Sequence, residues 1–151
     1  MQTMWISFGI GVVTGMRSMT ACAALTWAAS QGRTRGDWIP SSSTACGIAT
    51  AMALAEMAGD KMAIAPDRRI LPSFAARLAI GATGGAALAG RGVTPATGAL
   101  LGAVGAIVGT SLGRRARGGK PHSLKGLAED MAAAGLAWTV VRSARIDRLT
   151  L

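Results

Sequence analysis

The sequence predicts an all-α integral membrane protein, a polytopic helix bundle of about five apolar segments, and three observations carry that expectation. Half of the 151 residues are hydrophobic and only 15% are charged. The apolar residues gather into runs close to the ~20 residues that cross a bilayer as a helix. The chain is also built from small residues, with 21 Gly, 4% aromatics and no Tyr. A core in water relies on large side chains to bury area, whereas Gly and Ala let helix backbones approach closely where lipid is the solvent. The alternative is a soluble helical domain rich in Ala and Gly; the length of the apolar runs favours the membrane. A chain of this length reads as one domain, residues 1–151.

The first apolar segment runs from about Met4 to Ala29. As one helix it would extend ~39 Å, enough to cross a ~30 Å hydrocarbon core with tilt or a break. A polar stretch with Gly, Pro and an interfacial candidate, Trp38, follows over residues 30–42. The second segment starts near Ser43 and ends before Pro66, and Pro66 and Pro72 bracket a basic connection. The third covers about Ser73–Gly90 and the fourth Pro95–Gly113, with Pro95 suited to a first helical turn. After the basic, Gly-containing stretch RRARGGKPH, the fifth covers about Ser123–Val141.

Segment four carries Gly98, Gly102, Gly105, Gly109 and Gly113 at spacings of four, three, four and four. Those spacings place the glycines along one helical stripe, the small-xxx-small pattern of a packing seam. Gly81 and Gly85, and Gly11 and Gly15, offer matching faces in segments three and one. A pore lining would also want polar groups, and only Thr110 and Ser111 qualify here.

Two short likenesses suggest internal symmetry. GVVTGMRS at 11–18 is similar to GAIVGTSL at 105–112, and LAEM at 54–57 is similar to LAED at 127–130. With five full spans the matching segments would run in opposite directions, the arithmetic of an inverted repeat with halves 1–90 and 91–151.

The net charge of +9 sits mainly between the apolar runs and at the C-terminus, without the aromatic-interleaved basic face of a nucleic-acid binder. Lys and Arg between spans fit contact with anionic lipid headgroups. Five spans would put Lys61, Arg68, Arg69, Arg114, Arg115, Arg117 and Lys120 on the side of the N-terminus. Arg33, Arg35, Arg91, Arg142, Arg145 and Arg148 would lie opposite, a near balance that leans towards a cytoplasmic N-terminus. Cys22 and Cys46 lack metal-site spacing and read as small buried residues.

The chemistry-bearing candidates are the charges inside apolar runs. Arg17 has 13 segment residues before it and 12 after, which puts it near mid-membrane if the segment spans. An Arg there costs ~2.5–3.5 kcal/mol on insertion scales. Gly15 permits a break in the helix, and Ser18 and Thr20 can satisfy backbone groups freed by it. The plainer reading of Arg17 is a snorkelling side chain or one at a re-entrant end. Glu56 and Asp60 share a helix face, with Lys61 beside them; Arg77 opens segment three, and Glu129 and Asp130 sit in segment five. Carboxylates in a bundle serve as cation ligands, proton carriers or counter-ions. The pairing expected is Arg17 with Glu56 or Glu129.

Together GMRSMT, LAEMAGDKMAIAPDRRILP, the following R...GATGGA and the late LAED resemble a family of small, uncharacterised bacterial membrane proteins, domain of unknown function 4126 (DUF4126). The resemblance covers most of the chain in motif order. Ala63 stands where that family usually shows a proline, and Arg69 where a Thr is common. It implies a multi-pass inner-membrane protein and brings no activity, substrate or cofactor.

The function expected is passage of a small solute or ion through the cluster of Arg17, Ser18, Glu56, Asp60, Lys61, Arg77, Glu129 and Asp130. A metal-dependent enzyme acting on lipid phosphates is the second reading, and a structural membrane protein with paired charges the third. No P-loop, HExxH, GxSxG or zinc spacing is present, and the single histidine, His122, lies in a basic stretch. The residues name no metal ligands and no cofactor. The partners expected are the bilayer, its anionic headgroups and the unknown solute or ion, with no nucleic acid; the glycine faces also allow a homo-oligomer.

Overall fold

The computed structural model describes residues 2–59, 71–90, 92–116 and 123–144. Among them every regular element is a helix: α1 Gln2–Met16, α2 Ser18–Ser30, α3 Ser43–Gly59, α4 Leu71–Ala87, α5 Pro95–Ala116 and α6 Ser123–Ser143. The helix starts follow local chemistry. The Ser42 hydroxyl accepts the Ala45 N–H at 3.1 Å at the head of α3. Thr94 does the same for Thr97 at 3.1 Å, with Pro95 in the first turn of α5. α2 ends in a Schellman turn: Gly32 sits at φ 67°, its N–H reaches the Ala29 carbonyl, and the Arg33 N–H reaches Ala28.

The first apolar segment is two helices, separated by Arg17 alone. Arg17 is extended, φ −145° and ψ 103°, so the rotation at one residue swings α2 away from the axis of α1. The swing is a reversal. Ile10 of α1 and Leu25 of α2 both lie beside Gly84, 3.4 and 3.0 Å from where its Cβ would be. The start of α1 and the chain beyond α2 meet the same end of α4, where Ser7 Oγ donates to the Gly85 carbonyl at 2.9 Å and the Arg35 N–H to Ala87 at 2.7 Å. Helices α1 and α2 therefore form a hairpin with Arg17 at its tip, in place of a single long crossing.

The remaining helices alternate in direction around this hairpin. α3 runs antiparallel to α2, with Glu56 near Met19 and Thr50 near Trp27. α4 opposes α1, α5 opposes α4, and α6 ends where α1 begins, with Gly9 against Val140. The N-terminus, the 31–42 loop and the last residues of α6 thus lie at one end. The ends of α3 and α5 and the starts of α4 and α6 lie at the other. This corrects the five-span arithmetic: the extra reversal at Arg17 moves the N-terminus to the end opposite the last residues of α3 and α5. It also makes α1 and α5 parallel, since Phe8 and Val12 pass Gly105 and Gly109 in the same order. The two glycine-rich stretches are consequently not related by inversion.

α1 is the innermost helix: Ser7, Ile10, Val13 and Thr14 are fully buried. Its cover is close because α5 meets it without side chains. A Cβ on Gly105 would strike the Phe8 carbonyl, and one on Gly109 the Val12 carbonyl. The same helix packs on α4 through Gly98 and Gly102, against Gly85 and Gly81. Gly113 is buried as well. One glycine stripe thus serves two neighbours. Among the described residues one helix, Pro95–Gly113, is long and apolar enough to cross a membrane by itself, and Thr3–Met16 is a shorter apolar helix. Cys46 is buried and Cys22 half-buried, both as free thiols.

Candidate functional site

The hairpin tip collects the charged side chains. Arg17, Arg77, Glu129 and Asp130 are 2%, 7%, 4% and 5% exposed, in a chain whose largest exposed side chains include Trp5, Leu100 and Met131. Arg17 forms an ion pair with Asp130 of α6. The expectation named Glu56 or Glu129; Asp130, the next residue of α6 and turned about 100° from Glu129, is the partner it did not name. Glu129 is the buried neighbour of this pair on α6.

Glu56 does something else. Its Oε2 accepts the backbone N–H of Met19 at 3.0 Å. Met19 is the second residue of α2, and Arg17, in the N-cap position, gives no side-chain cap. A carboxylate from α3 therefore sits at the exposed donors and positive end of the dipole of α2. The C-terminal end of α1 is served in the opposite sense. The Gly15 carbonyl accepts from Arg77 Nη1 at 3.3 Å, and Thr110 Oγ1 lies 3.4 Å from it, its single proton shared with the nearer Ala106 carbonyl at 2.8 Å. A break in the helix thus has a carboxylate on its donor side and a guanidinium on its acceptor side.

This division departs from the role expected of Ser18 and Thr20. Ser18 is half-buried as the first residue of α2. Thr20 is buried, yet its hydroxyl has no hydrogen-bond partner among the described residues. The freed backbone groups are satisfied from α3, α4 and α5 instead. Asp60 and Lys61 fall outside the described residues, as does His122.

The tip is off-centre in the bundle. Asp130 lies seven residues into α6 and Arg77 six into α4, hence about 10 Å from those helix starts. Glu56 is three residues from Gly59, the end of α3, about 5 Å away. The mid-membrane depth expected of Arg17 follows only from a continuous first helix, and the hairpin removes that premise.

Five described groups make the site, three carboxyls and two guanidiniums, so acid exceeds base by one group. Among the described residues no three His, Cys, Asp or Glu side chains gather as a metal ligand set. No family model, curated protein or solved structure matches this chain.

Proposed function

We propose that the chain is a multi-pass inner-membrane protein in which α3, α4, α5 and α6 cross the bilayer and α1–α2 form a re-entrant hairpin. A small solute or ion passes through the Arg/Glu/Asp cluster at the tip of that hairpin. The motif resemblance to the small bacterial membrane family belongs to this proposal.

Helix lengths support the arrangement. At 15 and 13 residues, α1 and α2 extend about 22 and 20 Å, short of a ~30 Å hydrocarbon core. A re-entrant element is tolerated at membrane depth where protein surrounds it, and the full burial of Ile10, Val13 and Thr14 meets that condition. The distribution of polarity points the same way. Trp5 and Leu100 are 68% and 69% exposed while the Arg17–Asp130 pair is enclosed, the reverse of what water favours.

The observation that carries the solute path is the broken helix with a charge at each broken end. Irregular backbone inside a bundle is where transporters place substrate and ion sites, because half-helix termini present unpaired donors and acceptors. The test is a flux screen in proteoliposomes with small neutral, anionic and cationic solutes, compared with protein-free vesicles. At least one solute should cross faster with the protein, and Arg17→Ala should abolish the difference. Vesicles indistinguishable from protein-free controls for every solute would sink the proposal.

A further inference from the structure

The hydroxyl of Thr20 is buried without the backbone bond that six other helical threonines make. Thr14, Thr26, Thr50, Thr83, Thr110 and Thr139 each donate to a carbonyl three or four residues earlier. Thr20 has the Arg17 carbonyl three residues earlier, which accepts the Ala21 N–H at 3.2 Å, and Met16 four earlier at the end of α1; its Oγ1 bonds to nothing among the described residues while the residue is only 7% exposed. An unsatisfied buried hydroxyl costs ~1–3 kcal/mol. Cα–Cβ bonds in a helix tilt towards its N-terminus, so the side chain of this third residue of α2 leans towards the tip.

The same helix end already holds a carboxylate, that of Glu56, on the Met19 N–H. Glu56 is half-buried and three residues from Gly59, the end of α3. We infer that the N-terminus of α2 is a binding site for a small monocarboxylate, which displaces Glu56 from the Met19 N–H and accepts a hydrogen bond from the Thr20 hydroxyl. The inference rests on the cluster being the solute path and names its substrate class. With Glu56 turned away towards the end of α3, a monocarboxylate keeps a single negative charge on the Met19 N–H, whereas a dianion would place two there beside Glu129 and Asp130. A cation at this point would face the positive end of α2 together with Arg17 and Arg77.

Isothermal titration of the purified full-length chain in detergent with sodium acetate, at constant ionic strength in chloride, tests this. Saturable binding is expected. Thr20→Val, isosteric and removing no bond, should keep the wild-type unfolding temperature or raise it, while weakening acetate about tenfold. Glu56→Gln should tighten acetate binding, because a neutral amide competes less well for the helix end. No saturable binding to the wild type, or equal affinity in a folded Thr20→Val variant, overturns the site. Acetate binding without flux of any solute would keep the site and remove the transport reading. Flux of a cation without acetate binding would do the reverse.

Discussion

An arginine buried to the depth of Arg17 is tolerated only if its charge and the backbone around it are both satisfied. Asp130 supplies the first and Glu56, Arg77 and Thr110 the second. Removing the guanidinium strands a buried carboxylate, so Arg17→Ala should cost roughly 3–5 kcal/mol. Asp130→Asn in that background should recover part of the loss, since a neutral amide tolerates the vacancy better. Glu56→Gln should recover none, because Glu56 holds the Met19 N–H and not the missing charge. Unfolding midpoints in detergent for the two double variants decide the matter, and rescue by Glu56→Gln alone would refute the pairing. That acids in these segments matter was legible from an apolar context that normally excludes charge. That Asp130 pairs with Arg17 was not, because neighbouring positions on α6 differ only by one step of helical rotation.

Among the elements, α5 shows how spacing becomes contact. A side chain at Gly105 would meet the Phe8 carbonyl, a rigid backbone atom. Gly105→Leu should therefore cost at least about 1–3 kcal/mol by forcing α1 and α5 apart. Leu100, on the same helix but 69% exposed, has little to lose, and Leu100→Ala should stay within about 0.5 kcal/mol. Detergent-resistant folding read by size-exclusion profile and unfolding temperature separates the two, and equal tolerance would mean that the stripe is not a contact. The periodicity of Gly98–Gly109 was enough to place a seam on α5. That the seam divides between α4 at Gly98 and Gly102 and α1 at Gly105 and Gly109 depends on where two other helices cross it.

For the whole molecule, the reversal at Arg17 decides which loops share a side. Five spans would put Trp38 across the membrane from the N-terminus; a hairpin puts both on one side. With Cys22 and Cys46 replaced by alanine, a Trp38→Cys variant tests this directly, since Trp38 is exposed in the 31–42 loop. A membrane-impermeant maleimide should label it only in vesicles of the orientation in which an N-terminal tag is also accessible. Labelling in the opposite orientation would restore a crossing first segment. Counting basic residues cannot replace the experiment, because the Lys and Arg between the apolar runs and at the C-terminus divide seven to six in sequence, too evenly to orient the chain.

The sequence by itself determined that the regular structure is helical, where most helices begin, and that glycine spacing makes a contact face; it allowed a break beside Gly15 without placing it at Arg17. These are local properties, set by run length, capping chemistry and the 3.6-residue period. Only the tertiary structure decided that the interruption is a reversal, that α1 and α5 run in parallel, and that Asp130 takes Arg17 while Glu56 takes Met19. An extended φ,ψ pair at one residue has no sequence signature, and it reorients everything after it. The direction of α2 is settled by Ile10 and Leu25 packing on Gly84, a contact between residues about 60 to 75 positions apart, which no pattern within a single segment can encode.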